Sequence, residues 1–388
     1  MTRTPDTADR DLPVVVIGGG QAGLAAGYYL RRAQVPFVIL DAQTGPGGAW
    51  RHGWDSLRLF SPARYSPLPG WWMPDQPAEP FPTAEHVRTY LDDYERRYAF
   101  DVRRPVDVTA VQAYPDHLAV SSTAQGTWRA RAVISATGTW RCPHAPDLPG
   151  RDEFTGRQIH TVNYHRPAPF RGQRVGVVGG ANSAAQILAE VSTVATTHWF
   201  TLAPPRFLPD DVDGRVLFDV ASQRELARRE GRPDTGGVAA LGDIVMVPSV
   251  KAARDRGVLR AEPMFDRLTP TGVARDDGST VDLDAIIWCT GFRPALDHLA
   301  PLGLSTDEHG HPDTHGTRSI DEPRLHLLGY GDWTGAAAAT LIGAGRTART
   351  CVEQIIGRPA RRPEPGRARL GSGWSLGVLP RGPVAETV

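Results

Sequence analysis

Three glycines near the start of the chain have the spacing of a phosphate-binding turn. Gly18, Gly20 and Gly23 follow a β-branched run, and a stretch with helical spacing, 21–32, begins directly after Gly20. Such glycines permit a tight turn and a close approach of backbone to a pyrophosphate, while the helix N-terminus supplies free N–H groups. Asp41, 23 residues after Gly18, can accept hydrogen bonds from a ribose diol. The sequence therefore predicts a dinucleotide site.

A similar pattern recurs in the middle of the chain. Residues 179–184 read G-G-A-N-S-A after an apolar run, so alanine replaces glycine at the second and third positions of the motif. The next apolar run, 197–202, ends without an acid, and Arg206 lies just beyond it. An absent acid with a nearby arginine suits a 2′-phosphate, which favours NADP over NAD. The alternative is that Arg206 is an ordinary loop arginine.

Each glycine turn requires a strand before it, a helix after it and a second strand beyond. Runs at 14–17 and 35–40 flank the first helical stretch, and runs at 174–178 and 197–202 flank the second. This alternation is typical of parallel sheets, so the sequence predicts an α/β protein with two Rossmann-like units. Two dinucleotide units imply two nucleotide cofactors between which a hydride passes.

The composition limits the classes of partner. The 388 residues carry 43 Lys+Arg and 43 Asp+Glu, and this balance gives no argument for nucleic acid or an anionic membrane. Cys142, Cys289 and Cys351 lie far apart without metal-ligand spacing, which predicts no disulfide framework, no metal site and a reducing cytoplasm. No window reaches about 18 uninterrupted apolar residues, so we expect neither a signal peptide nor a membrane span.

Two motifs resemble those of the flavin-containing monooxygenases. Gly47-Gly48-Ala49-Trp50 is similar to the G-G-x-W that follows the ribose acid in that family. Residues 154–164, F-T-G-R-Q-I-H-T-V-N-Y, fit the family's identifying pattern F-x-G-x-x-x-H-x-x-x-(Y/F). The related Baeyer–Villiger enzymes usually carry tryptophan at the last position, so Tyr164 favours the branch that oxygenates heteroatoms. The resemblance implies a structural role for His160.

Further motifs mark where the chain crosses between the two units. Ser135-Ala136-Thr137-Gly138 resembles the family's A-T-G link out of the FAD-binding domain, and residues 288–292, W-C-T-G-F, repeat it on the return. Residues 325–332, L-H-L-L-G-Y-G-D, resemble the family's terminal strand and G-D motif, with a helix expected from near Gly335. The resemblance implies three-layer ββα domains, with FAD bound by 12–145 and 286–356 and NADP bound by an inserted domain at 146–285.

Three segments complete the expected organisation. We expect a flexible N-terminus at 1–11 and a mobile tail at 357–388, where proline, glycine and arginine dominate. Residues 216–229 have the spacing of a surface helix, with a lid over the cofactor as the alternative.

The narrowest resemblance is to the flavin monooxygenases of bacterial arsenic-resistance operons. It rests on residues 52–62, H-G-W-D-S-L-R-L-F-S-P, and 205–214, P-R-F-L-P-D-D-V-D-G. Many family members carry an asparagine beside the flavin soon after the S-L-x-L stretch, whereas this chain has Phe60 and Ser61. Ser61 is therefore the candidate to replace that amide, and the departure puts the coupling of NADPH use to oxygenation in doubt.

The resemblance implies a reaction and a set of contacts. NADPH, with NADH as the alternative donor, reduces FAD; oxygen adds at flavin C4a; and the hydroperoxide passes its distal oxygen to a soft heteroatom of a small molecule, with a trivalent arsenical as the narrowest candidate. The expected FAD contacts are Gly18, Gly20, Gln21, Ala22, Gly23, Asp41, Gly48, Ala49, Trp50, Phe60, Ser61, Val106, Gly138, Gly331 and Asp332. The expected NADP contacts are Gly179, Gly180, Ala181, Asn182, Ser183, Arg206 and Gly291.

Other functions stay open at this point. A pyridine-nucleotide-disulfide reductase shares the two-domain fold but needs a redox dithiol, which the cysteine spacing does not offer. A nucleotide sensor without catalysis has little reason to keep the whole set of motifs. An uncoupled NAD(P)H oxidase that makes hydrogen peroxide is the nearer alternative because of Phe60. A homodimer is left open.

Overall fold

The computed structural model describes residues 11–77, 81–212, 214–216, 219–220, 223 and 244–357. The predicted flexible N-terminus, 1–11, lies outside these residues except for Asp11, which begins the first strand. The predicted tail, 357–388, lies outside them except for Gly357, and so does most of the predicted helix at 216–229.

The described residues form five α-helices with bounds given in the structure and seventeen strands. The helices are α1 (Gln21–Arg32), α2 (Ala84–Arg97), α3 (Asn182–Val191), α4 (Pro248–Asp255) and α5 (Leu341–Ile355). The strands are β1 (Asp11–Ile17), β2 (Phe37–Leu40), β3 (Val102–Arg103), β4 (Val108–Ala113), β5 (Leu118–Ser122), β6 (Gly126–Ser135), β7 (Arg157–His160), β8 (Arg174–Val178), β9 (Thr196–Thr201), β10 (Ala261–Pro263), β11 (Arg267–Thr269), β12 (Gly272–Ala274), β13 (Thr280–Asp282), β14 (Ala285–Trp288), β15 (Thr314–His315), β16 (Arg318–Ser319) and β17 (Leu325–Leu327).

The first sheet has the order β15-β16-β17-β6-β1-β2-β3, and strands β17, β6, β1, β2 and β3 are parallel neighbours. The β-branched residues of β1 are fully buried because both faces of the sheet are covered. Helices α1, α2 and α5 contribute to the core on one face, and the antiparallel strands β4 and β5 contribute to the core on the other. These are the predicted three layers.

The second sheet has the order β10-β9-β8-β14-β7, and all its strands are parallel. Helices α3 and α4 pack on one face, and the small antiparallel sheet β11-β12-β13 covers the other. Since β7 to β14 fall between β6 and β15 in the chain, this unit is inserted in the first, as expected. Strand β14 pairs with β7 and β8 of the second sheet, and the domain borders at 145/146 and 285/286 remain predictions.

Two linkers run side by side between the sheets. The outward linker follows β6 and includes residues 136–144, and the return linker follows β14 and includes residues 289–295. Three backbone bonds join them: Ala295 N–H donates to Gly138 O at 2.9 Å, Arg293 N–H to Cys142 O at 2.8 Å, and His144 N–H to Gly291 O at 3.0 Å.

One helix begins later than the sequence predicts. The expected start near Gly335 is wrong, because α5 begins at Leu341 with Thr340 as its N-cap. Gly335 has a φ of 134° and Ala337 a φ of 57°, and neither value is compatible with a right-handed helix. Residues Asp332–Thr334 form a separate 3-10 turn before this break.

Candidate dinucleotide-binding sites

A cavity of about 590 Å³ lies at the carboxyl ends of the central strands of the first sheet. Its walls come from both glycine-rich turns of the first unit, from the outward linker and from the segment after β17. The predicted FAD contacts in its lining are Gly18, Gly20, Gln21, Ala22, Asp41, Gly48, Ala49, Trp50, Val106 and Gly138. Carboxyl ends of parallel strands are where open α/β sheets bind ligands.

The first glycine turn depends on a close backbone approach. Gly18 has a φ of 107°, and a Cβ there would lie 2.3 Å from Ala136 O. A Cβ at Gly23 would lie 1.9 Å from Gly18 O, so Gly23 lets α1 pack on the strand end although it does not line the cavity. A Cβ at Gly48 would lie 2.8 Å from Gly20 Cα, which brings the G-G-x-W turn directly over the first turn.

Asp41 lies in the cavity wall, buried at the end of β2. Its Oδ2 accepts a hydrogen bond of 2.6 Å from Arg104 Nε, and Arg104 also donates from both terminal nitrogens to Glu95, at 2.7 and 2.9 Å. Asp41 Oδ1 has only a long bond of 3.3 Å from Gln43 N–H. One oxygen is therefore held by the protein, and the other keeps acceptor capacity. Arg104 and Glu95 follow no motif, so sequence reasoning missed them.

Gln21 joins three walls of the cavity. Its Nε2 donates to Ala339 O at 2.6 Å, and its Oε1 accepts from Trp50 Nε1 at 3.0 Å. All three residues line the cavity. Gln21 therefore ties the start of α1 to the G-G-x-W turn and to the segment before α5.

A buried polar cluster beside the cavity was not predicted from the sequence. Tyr330 Oη lies 2.6 Å from both Ser135 Oγ and Thr137 Oγ1, and Thr137 N–H donates to it at 3.1 Å. His298 Nε2 lies 3.0 Å from Ser135 Oγ. Burial lowers the pKa of His298 to about 4, so this imidazole is neutral at physiological pH.

The second glycine turn repeats the geometry of the first. Gly179 has a φ of 133°, and a Cβ there would lie 2.3 Å from Cys289 O. This close approach corresponds to that of Gly18 to Ala136 O. The carbonyl of Gly179 accepts a bond of 2.7 Å from Trp199 Nε1. Gly180 is half-buried, and a Cβ there would meet nothing closer than Thr201 at 3.9 Å. Ala181 is the exposed N-cap of α3.

The remaining predicted NADP contacts surround this turn. Ser183 is half-buried in the first turn of α3, and Asn182 Oδ1 accepts from Val245 N–H at 2.8 Å. Arg206 is exposed, and its carbonyl accepts from Ile244 N–H at 3.1 Å. Gly291 lies in the return linker with a φ of 80°.

The identifying motif, residues 154–164, contributes hydrogen bonds to the fold through His160. His160 Nε2 donates to Gly291 O at 3.0 Å, and its Nδ1 accepts from Val162 N–H at 3.3 Å, so both ring nitrogens are engaged. Burial lowers the pKa of His160 and favours this neutral form. The arrangement supports the structural role that the resemblance implies.

Several predicted FAD contacts lie outside the lining of the cavity. Ser61 Oγ lies 2.9 Å from Ser66 Oγ, and Phe60 O accepts from Gly214 N–H at 2.8 Å. Gly331 and Asp332 also lie outside the lining, and Asp332 Oδ1 accepts from Ala337 N–H at 3.3 Å. The roles of these residues remain predictions.

The cysteines and acidic groups show no further site. Cys142, Cys289 and Cys351 are free thiols, and the last two are buried, with burial raising the pKa of each to about 12. Within the described ranges no cluster of His, Cys, Asp or Glu has the arrangement of a metal site.

Comparisons with known proteins agree with this geometry. A family model for pyridine nucleotide-disulphide oxidoreductases matches residues 15–201, which include both glycine turns. The structure of a flavin-containing monooxygenase from Stenotrophomonas maltophilia is 50% identical, with a TM-score of 0.81 over 89% of this chain and 98% of that one. The chain belongs to the flavin-containing monooxygenase family. It is thus an oxidoreductase of the monooxygenase type.

More distant relatives of this monooxygenase cover much of its length. An uncharacterised CzcO-like oxidoreductase from Geobacillus kaustophilus is 29% identical over 88% of this chain and 98% of its own. The indole-3-pyruvate monooxygenase YUCCA1 of rice is 27% identical over 72% of this chain and 76% of its own. In the part of this monooxygenase that the structure describes, no helix combines the length and apolar character needed to cross a bilayer.

Proposed function

We propose that the chain binds FAD at the first glycine turn and NADPH at the second, and transfers one oxygen atom from dioxygen to a soft heteroatom of a small molecule. The observation that carries this proposal is the pair of matching turns, Gly18 against Ala136 and Gly179 against Cys289, each at the end of a parallel strand, in two sheets joined by paired linkers.

The residues of the first unit fit a dinucleotide. A Cβ at Gly138 would meet no protein atom within 4 Å although Gly138 lines the cavity, so the space beside it is open to a ligand. Free N–H groups at the start of α1 suit a pyrophosphate, and Asp41 Oδ1 suits a ribose hydroxyl. Gln21, through Trp50 and Ala339, keeps the walls at a fixed separation.

The chemistry divides between cofactors and protein. When bound, FAD accepts a hydride from NADPH and activates dioxygen. The protein's own task is to hold the two dinucleotides in a fixed position relative to each other. His160, which donates to Gly291 O in the return linker, ties the second unit to that linker. Because His298 is buried and neutral, it acts as a hydrogen-bond partner of Ser135 and not as an acid.

The proposed substrate is a small molecule with a soft sulfur, nitrogen, selenium or trivalent arsenic centre. Tyr164 at the end of the identifying motif supports heteroatom oxygenation. Trivalent arsenicals are the narrowest proposal, and they rest only on the resemblance of residues 52–62 and 205–214.

The cofactor proposal is tested with purified protein. We expect a yellow protein that retains FAD and oxidises NADPH in air with a higher kcat/KM than NADH. Arg206→Ala should remove that preference, whereas the control Arg171→Ala, at another exposed arginine of the second unit, should keep it. A colourless protein that fails to bind added FAD would overturn the proposal, and equal use of both coenzymes by the wild type would remove Arg206 from it.

The substrate proposal is tested by oxygen uptake. Trivalent arsenicals, thioethers and amines are compared for substrate-stimulated NADPH and oxygen consumption, with oxygenated product and hydrogen peroxide measured together. We expect product to account for most of the NADPH with at least one class. Hydrogen peroxide equal to the NADPH consumed with every class would instead establish the uncoupled oxidase that Phe60 suggests. Sedimentation of the same preparation tests whether the protein forms a homodimer, which the sequence leaves open.

A further inference from the structure

An ion pair lines part of the first cavity and has no assigned role. Arg141 Nη1 lies 2.7 Å from Asp107 Oδ1, and Nη2 lies 3.3 Å from Oδ2, so the pair is bidentate. Both residues line the cavity, and their side chains are 52% and 47% exposed. The hydrogen bond from Arg141 holds the pKa of Asp107 below its usual range. The carboxylate therefore stays charged and holds the guanidinium plane in one orientation.

The pair joins two loops that arise on opposite sides of the strands carrying the motif. Arg141 follows β6, and Asp107 lies between β3 and β4. In the sheet β6 and β3 flank β1 and β2, so the pair spans the carboxyl ends of those two strands. Asp107 is also next to Val106, whose N–H donates to Asp41 O at 2.9 Å. The pair thus lies on the Asp41 side of the cavity.

The order of groups in a dinucleotide then decides what meets the pair. The glycine turn takes the pyrophosphate and Asp41 takes the ribose, so the base continues beyond Asp41. There the cavity is lined by Asp107, Val108, Thr109, Trp140 and Arg141. The Trp140 ring already stacks with Phe292, at 5.3 Å between centroids, and with His52, at 6.1 Å. The guanidinium of Arg141 is a second planar group of that lining that can stack on a base.

We propose that Arg141, oriented by Asp107, covers the face of the adenine base of FAD and that the pair adds to the preference of the first site for FAD over FMN. This inference rests on the proposed function, since it requires FAD at the first turn. A guanidinium stacks on aromatic faces, and such a contact near solvent is worth enough to change affinity about two- to fivefold. Lysine has the charge but not the plane, so it does not replace arginine here.

The test measures binding to apoprotein, without turnover. Wild type, Arg141→Ala, Arg141→Lys and Asp107→Asn are titrated with FAD, FMN and ADP by calorimetry. Arg129→Ala is the matched control, because it removes an ion pair with Asp116 of similar exposure on the same unit. We expect the Kd for FAD and for ADP to rise about two- to fivefold in the three pair variants, with the Kd for FMN unchanged. Arg129→Ala should change none of the three.

The outcomes separate the two proposals. If wild type binds FAD and the variants bind it equally well, or if their affinity for FMN falls as much as their affinity for FAD, the proposed contact of Arg141 with adenine is overturned. The proposed function then stays intact. If wild type binds no FAD, both the proposed function and the proposed contact of Arg141 with adenine are overturned. Asp107→Asn provides an independent result if Arg141→Ala lowers the melting temperature of the apoprotein.

Discussion

The two glycine turns share a backbone geometry but differ in what surrounds them. At both turns a glycine with positive φ approaches a carbonyl of the adjacent segment, with the same distance of 2.3 Å to an added Cβ. Around the first turn, a buried acid, the opposed Gly48 and the polar side chain of Gln21 enclose a cavity. The strand that follows the second turn, β9, ends without an acid, and the N-cap Ala181 is exposed. An enclosed site suits a cofactor that stays, and an exposed one suits a coenzyme that must leave after each hydride transfer.

The largest expected effect tests whether the two turns are equivalent. Gly18→Ala and Gly179→Ala each place a methyl group 2.3 Å from a carbonyl oxygen and impose an unfavourable φ. Strain and overpacking together should lower the free energy of unfolding by about 4 kcal/mol in both variants, measured by urea titration. Gly20→Ala is the control, because its Cβ would lie 3.8 Å from Gly48 Cα, and it should cost less than about 1 kcal/mol. Losses that differ widely between Gly18→Ala and Gly179→Ala would break the equivalence.

The next effect tests the feature that the second turn lacks. Arg104→Met leaves Asp41 and Glu95 as two carboxylates without their shared cation, and their side chains are only 6% and 17% exposed. Removing one partner from a buried ion pair costs about 3 kcal/mol or more, so we expect a loss near that value in urea. FAD affinity should fall as well, because Asp41 is no longer held. Arg103→Met is the control, since its partner Asp101 is more than half exposed.

Acid should weaken the first unit through two buried histidines. Burial lowers the pKa of His298 and of His326 to about 4, below the usual 6.5. The unfolded chain therefore binds protons first, and the stability that neutral histidine contributes is complete above about pH 6.5 and is lost as the pH falls towards 4. Between pH 7 and pH 5 each histidine should cost about 2 kcal/mol of unfolding free energy.

The measurement compares urea titrations at the two pH values. His298→Gln and His326→Gln should each reduce the difference between pH 7 and pH 5. The same substitution at the exposed His309 is the control. An unchanged difference in both buried variants would contradict the assignment of acid sensitivity to the first unit.

The sequence predicts those features that depend on residues close together in the chain. The turns at Gly18 and Gly179 and the inserted second sheet were predicted correctly, because glycine spacing and apolar runs are local patterns. The start of α5 was wrong because a positive φ at Ala337 leaves no mark in residue type. The pairs Asp41–Arg104 and Asp107–Arg141 join residues 63 and 34 positions apart, so only the fold reveals them. The roles of Ser61 and Arg206 remain predictions.

The smallest expected effect concerns the contact between the two units. Glu190 on α3 accepts from Tyr164 Oη at 2.8 Å and from Ser56 Oγ, which belongs to the first unit, and Asp55 N–H donates to His165 O at 3.0 Å nearby. Tyr164→Phe should therefore cost about 1.5 kcal/mol of unfolding free energy and Ser56→Ala less, because Ser56 is exposed.

Because both hydroxyls donate to one carboxylate, the double variant of Tyr164 and Ser56 should lose less than the sum of the two single losses. Ser121→Ala, which removes a hydroxyl contact within the first unit alone, is the control. Strictly additive losses would mean that Glu190 does not couple the units. A non-additive result, with slower anaerobic reduction of the flavin by NADPH but an unchanged Kd for FAD, would show that Tyr164 of the identifying motif sets how the enclosed site and the exposed site face each other.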